Sequence, residues 1–202
     1  MKKIYTLVVG VLVCFFAAAQ SFQGNPQPAM EFSKQQITPI IAKKGEINPL
    51  SYMKSVDILF EDFQDVSTPA LPDGWTTVQV TTDPAGPMAG ELTDAFITGD
   101  ADDANGGGYW PVPNIGGNIF AQANDDNVPC DCDMFAISLT TPEMDFTDVG
   151  NAALSFDLFH DQGFGGGEGG VEVSIDGGTT WEILIATLPV DETVWQTIIV
   201  PL

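Results

Sequence analysis

Four short runs of this chain concentrate oxygen-bearing side chains: Asp100-Ala-Asp102-Asp103-Ala-Asn105, Asn124-Asp125-Asp126-Asn127, Asp131 with Asp133, and Asp157 with Asp161. Asp, Asn and backbone carbonyl oxygens are the hard ligands that calcium takes about 6–8 at a time, and extracellular calcium fills even weak sites. The chain's own cations are in the wrong place to neutralise these runs. All 6 Lys and Arg residues precede Ser55, whereas all but two of the 28 Asp and Glu residues, Glu31 and Glu46, follow it. Two carboxylates about 4 Å apart repel by roughly 4 kcal/mol at an effective dielectric near 20, against a net domain stability of about 5–15 kcal/mol. Spread over a surface, such charge aids solubility; clustered in loops, it calls for a cation. A formal charge of −22 also makes nucleic acid and anionic membrane poor partners. The run from Asp100 to Gly106 is not an EF-hand loop, because its third ligand and its glycine are displaced by one and Pro111 stands where the closing glutamate belongs.

Other chemistries have weaker footing. His160 beside Asp161 lacks a nucleophile setting such as Gly-x-Ser-x-Gly, and a lone histidine excludes a self-contained His-Glu-x-x-His zinc site. Cys130 and Cys132 are too few for tetrahedral zinc. In an oxidising compartment they form a disulfide candidate, a small strained ring that pins an acidic loop. Carboxylate pairs such as Glu168 with Glu172, or Asp157 with Glu172, suit a glycosidase in type, but any acidic β-domain offers them by chance. The glycine-rich run from Gly163 to Gly170 has neither the lysine nor the following helix of a phosphate loop. Tyr109-Trp110, between Gly106-Gly107-Gly108 and Pro111, is the candidate ligand-binding pair, with flat rings suited to a sugar face or a protein partner. Its structural alternative is a cap over one end of the fold. No catalytic constellation emerges, and the chain reads as a non-enzyme.

Short strands separated by Gly, Pro, Asp and Asn must position these groups. Strands are expected at 58–63, 74–80, 95–98, 119–123, 135–139, 153–158, 171–175, 181–185 and 195–200. The clearest element is the hairpin in which Val171 to Ile175 turns through Asp176-Gly177-Gly178-Thr179-Thr180 into Trp181 to Ile185, since Asp-Gly-Gly supplies the positive φ angles of a tight turn. Trp75, Trp181 and Trp195 lie in strand patterns and are expected in the core. No sustained helical stripe follows the N-terminus, so the expected class is all-β, a two-sheet β-sandwich of jelly-roll type.

Organisation along the chain begins with an export signal at residues 1–19: Lys2 and Lys3, an apolar run from Ile4 to Phe16, and Ala17-Ala18-Ala19 before Gln20. Residues 20–54, rich in Gln, Pro, Ser and Lys, are expected as a largely disordered leader or linker. Residues 55–202 form the β-domain. The expected location is secreted, extracellular or cell-surface.

Ile58-Leu59-Phe60-Glu61-Asp62-Phe63 followed by Leu71-Pro72-Asp73-Gly74-Trp75 resembles the opening of the cleaved-adhesin and choice-of-anchor J domains, MAM-like (galactose-binding-like) jelly rolls of secreted Bacteroidetes proteins. The resemblance continues in order through Phe120 to Asp126, Cys130 to Asp133, Leu139-Thr140-Thr141-Pro142, Leu154-Ser155-Phe156 and Val173 to Trp181, covering roughly 57–202. It implies a non-catalytic, calcium-stabilised module used for adhesion, or appended to peptidases and other enzymes exported by type IX secretion. Glu61 is implied as a metal ligand, with Asp83, Asp125 and Asp126 as further ligands. The implied partner is a host or matrix protein or a glycan. The alternatives are a carbohydrate-binding module and the ancillary domain of a secreted peptidase whose catalytic part lies elsewhere. Members of the family continue into further strands after the strand that ends here near Leu202, so the domain is expected to be incomplete.

Overall fold

The computed structural model describes residues 5–8, 39–44, 57–79, 93–105, 111–114, 116–124, 129, 134, 136–146, 149, 152–161 and 169–202. These residues are all-β in class. The elements are β1 (Tyr5–Val8), β2 (Ile40–Lys43), β3 (Thr76–Thr77), β4 (Ile97–Gly99), a one-turn helix α1 (Ala101–Ala104), β5 (Phe120–Gln122), β6 (Leu139–Thr140), β7 (Glu143–Met144), β8 (Ala153–His160), β9 (Val171–Ser174), β10 (Glu182–Ile185) and β11 (Asp191–Pro201). Among the described residues no helix is long and apolar enough to cross a membrane.

Pairing is antiparallel throughout, in sheets ordered β10-β9-β1-β7, β2-β11-β8, β3-β6 and β4-β5. The longest strand, β11, is rich in the β-branched residues that suit a pleated surface. It sits between β2 and β8, and its stretch from Thr197 to Val200 is buried. Leu158, Ile198 and Val200 from β8 and β11 join Val171 and Ile185 from β9 and β10, with Leu188, in one apolar core. Ala95, Phe96, Met134, Ile137 and Leu139 form a second, against which Leu71, Trp75, Ala121 and Ala123 pack.

The expected hairpin is present. Gly177 and Gly178 take φ of +71° and +82°, and β9 and β10 pair on either side of them. Five expected strands appear shortened or lengthened: 74–80 contracts to β3, 95–98 shifts to β4, 119–123 to β5, 135–139 to β6, and 195–200 extends to β11. Two expectations are corrected. The run 58–63 is irregular, with Ile58 and Leu59 exposed and Phe60 74% exposed, because no neighbouring strand pairs with it among the described residues. Trp181 is exposed rather than core, lying over Gly178 at the hairpin turn.

The N-terminal regions also contribute. Ile40–Lys43, inside the stretch expected as a disordered leader, pairs with β11 in the register Ile40↔Ile199 to Lys43↔Gln196. Lys44 continues the docking by donating its N–H to Trp195 O at 2.9 Å and its ammonium to Asp157. Tyr5–Val8, inside the expected export signal, lies between β9 and β7.

Candidate functional site

Of the expected site residues, Glu61 is the one the described structure places. Asp83, Tyr109, Trp110, Asp125, Asp126, Cys130 and Cys132 lie outside the described residues. Glu61 lines an open cleft of about 500 Å³ whose walls also carry Asp62, Asp65 and Asp73, with Phe60, Val66, Leu71 and Pro72 as the apolar part. Local bonding sets its shape. Glu61 Oε1 accepts the N–H of Phe63 at 2.6 Å, which holds Phe63 at φ +60°, a conformation uncommon for an aromatic residue. Phe63 then stacks edge-on to Trp75 with ring centroids 5.3 Å apart. The Gln64 side chain clamps the segment to the entrance of β5, donating to Ile119 O at 2.9 Å and accepting from Ile119 N at 3.3 Å. The result is a fixed acidic wall beside an exposed phenylalanine.

The other acidic runs show what their oxygens do. Asp100 caps α1, its Oδ1 accepting from the N–H groups of Asp102 and Asp103 at 2.9 and 3.0 Å, while Asp103 Oδ2 accepts from Asp100 N at 3.1 Å. This reciprocal capping box satisfies amides that a helix start leaves unpaired. Asn105 clamps Val112 through both side-chain atoms. In the hairpin turn, Asp176 accepts from Thr179 N, Thr180 N, Thr180 Oγ1 and Ser174 Oγ. Those donors, the Thr180 hydroxyl foremost, push the Asp176 carboxyl down to about 2. The Thr193 hydroxyl and amide likewise lower that of Asp191. Among the described residues no three His, Cys, Asp or Glu side chains converge as a metal-holding group.

The groups considered for catalysis have structural occupations. His160 is buried, with Nδ1 3.2 Å from Pro189 O; a carbonyl only accepts, so Nδ1 carries the proton. Asp157 accepts from Thr197 Oγ1 at 2.7 Å and from the Lys44 ammonium. Trp195 packs against Phe120 and Phe159 at centroid distances of 5.1 and 5.9 Å and donates Nε1–H to Pro113 O.

Sequence reasoning missed a second cavity, about 220 Å³, lined by Thr68, Pro69, Ile97, Thr98, Asp103 and Gln122. Gln122 had passed as an ordinary strand residue between Ala121 and Ala123, and its neighbours in sequence carry no signal of the cavity. No family model, no curated protein and no solved structure matches the chain.

Proposed function

We propose that this chain is a secreted, non-catalytic adhesion or interaction module, a jelly-roll sandwich supported by calcium. The observation that carries the proposal is the cleft of Glu61, Asp62, Asp65 and Asp73 with Phe60 exposed at its side. An anionic wall next to an accessible aromatic suits a basic, partly apolar segment of a protein partner: the aromatic supplies buried area at low entropic cost, and the carboxylates steer and orient the cation. Packing of β8 and β11 residues with β9 and β10 residues in one core supports the two-sheet architecture. The hydrogen-bonded roles of His160 and Asp157 support a binding role over chemistry.

Calcium fits this reading through Glu61. One oxygen of Glu61 is engaged by Phe63 N–H, and a carboxylate offers a second oxygen. The remaining ligands would come from Asp83, Asp125 and Asp126. Binding of the exported protein to immobilised extracellular-matrix proteins, with and without calcium, tests the function. Phe60→Ser and a double Asp62→Asn, Asp65→Asn variant should each weaken capture while leaving the melting temperature close to that of the parent. Undiminished capture by both would remove the cleft as the binding surface.

A further inference from the structure

The side-chain oxygen and nitrogen of Gln122 are buried and lack a hydrogen-bond partner, in a residue only 6% exposed. Buried polar groups are otherwise paired, because stripping water from an unpaired amide is costly. The strand register explains how the amide comes to be there. β4 and β5 pair Ile97 with Gln122 and Gly99 with Phe120. Because Gly99 has no side chain, the Gln122 amide lies across β4 toward Asp103. A Cβ at Gly99 would overlap Gln122 Nε2 and come within 2.8 Å of Asp103 Oδ2. The amide and the carboxylate therefore flank the same space, and both line the 220 Å³ cavity, whose mouth is formed by the exposed Thr68, Pro69 and Asp103.

The donor and acceptor pattern selects the ligand class. A primary amide presents one acceptor and one donor side by side, whereas an ionised carboxylate only accepts. A bare cation would satisfy Gln122 Oε1 and Asp103 but would face the positive end of the Nε2–H bonds. An anion would satisfy Nε2 but would meet Asp103 in a domain already strongly negative. Two adjacent hydroxyls satisfy the whole set: one donates to Asp103, and its neighbour donates to Gln122 Oε1 while accepting from Nε2. Ile97 and Pro69 provide apolar wall for the C–H edges between them. We propose that this cavity binds the vicinal diol of a neutral monosaccharide. The assignment stands apart from the acidic cleft, with which the cavity shares no lining residue.

The test is a titration of the ¹⁵N-labelled full chain with D-glucose, D-galactose, D-mannose and N-acetyl-D-glucosamine, following the Gln122 side-chain amide, whose signals are identified by their loss in Gln122→Leu. At least one sugar should shift the Gln122 amide signals and the Thr98 backbone signal saturably, and calcium chloride alone should not. Gly99→Ala, which places a Cβ where the amide lies, should abolish the shift. If no sugar moves the Gln122 signals at any soluble concentration, or if calcium alone does, the proposal fails. The wild-type titration decides this even where Gly99→Ala does not fold. Loss of partner capture through the cleft with sugar binding intact, or the reverse, distinguishes the two sites.

Discussion

Thr197 and Asp157 face each other across β11 and β8, and Thr197 also pairs with Ala42 of β2. Thr197 Oγ1 donates to one oxygen of Asp157 at 2.7 Å and the Lys44 ammonium donates to the other. Replacing Thr197 by Val keeps the shape of a side chain that is only 4% exposed and deletes the hydroxyl. A hydrogen bond to a charged group contributes about 1.5–3 kcal/mol when its loss strands the acceptor. The Asp157 side chain retains 32% of its accessibility, so water replaces part of the lost bond and the expected cost is at the low end, about 1–1.5 kcal/mol. For a chain of this size that lowers the melting temperature by about 2–6 °C. Lys44→Ala removes an ion pair whose partners are 39% and 32% accessible, of a class that contributes about 0.2–1 kcal/mol and is screened by salt. Scanning calorimetry on both variants at low and high salt should therefore place Thr197→Val below Lys44→Ala in stability, with only the lysine effect shrinking in salt. A larger effect for Lys44→Ala, or no effect of Thr197→Val at either salt concentration, would refute the reasoning that a buried hydroxyl, rather than the surface charge, fixes Asp157 under the docked leader strand.

Acid should act on the hairpin turn. The Asp176 carboxyl, ordinarily near 3.8, is held at about 2 in the fold, so its contribution to stability is complete above the ordinary value and is lost as pH falls through that value toward about 2. Asp176→Ala should flatten the melting-temperature profile across that window, and an unchanged slope would count against it. Calcium at about 100 times its dissociation constant should add about 2.7 kcal/mol, a rise of roughly 5–11 °C that excess chelator reverses and Glu61→Gln reduces; identical melting curves with calcium and chelator would remove the metal. Ile198→Ala, at a position with no exposure, should cost about 2–5 kcal/mol, measured by urea unfolding. A cost below 1 kcal/mol would mean that the core around β8, β9, β10 and β11 collapses onto the gap.

What was legible in the residues follows from how local the determinant is. Asp176-Gly177-Gly178 specifies its own turn, since the glycines alone take positive φ without strain and the aspartate reaches amides three and four residues on. The alternation in 153–158 specifies β8, which runs on to His160. The run 58–63 has the composition of a strand, but a strand exists only where a partner offers its unpaired amides, and Glu61 instead turns back on Phe63. Ile40 and Ile41 were hidden because two adjacent isoleucines among Gln, Thr, Pro and Lys make no periodic signal; their strand is defined by the edge of β11, far along the chain. Gln122 is the extreme case. Its unpaired amide depends on the absence of a side chain at Gly99 and on the register that brings the two strands together.

The acidity of the domain has two outlets, and the structure separates them. Asp62, Asp100, Asp176 and Asp191 each accept an N–H from a residue two to four positions on. Charge-assisted bonds to backbone amides favour the ionised carboxylate without any cation, so these turns bear negative charge as part of their own geometry. They need no metal to fold. The demand for calcium therefore falls on carboxylates that face one another, and of the described residues the cleft around Glu61 is where Asp62, Asp65 and Asp73 share one open space. Repulsion there scales inversely with separation and dielectric, and an open cleft keeps water between the charges. The wall can then stay ionised and unfilled until a basic segment or a divalent ion arrives. A cation that completes its shell at Glu61 and a cationic side chain drawn to the same wall would compete, and raising calcium should weaken partner capture at the cleft even as it raises the melting temperature.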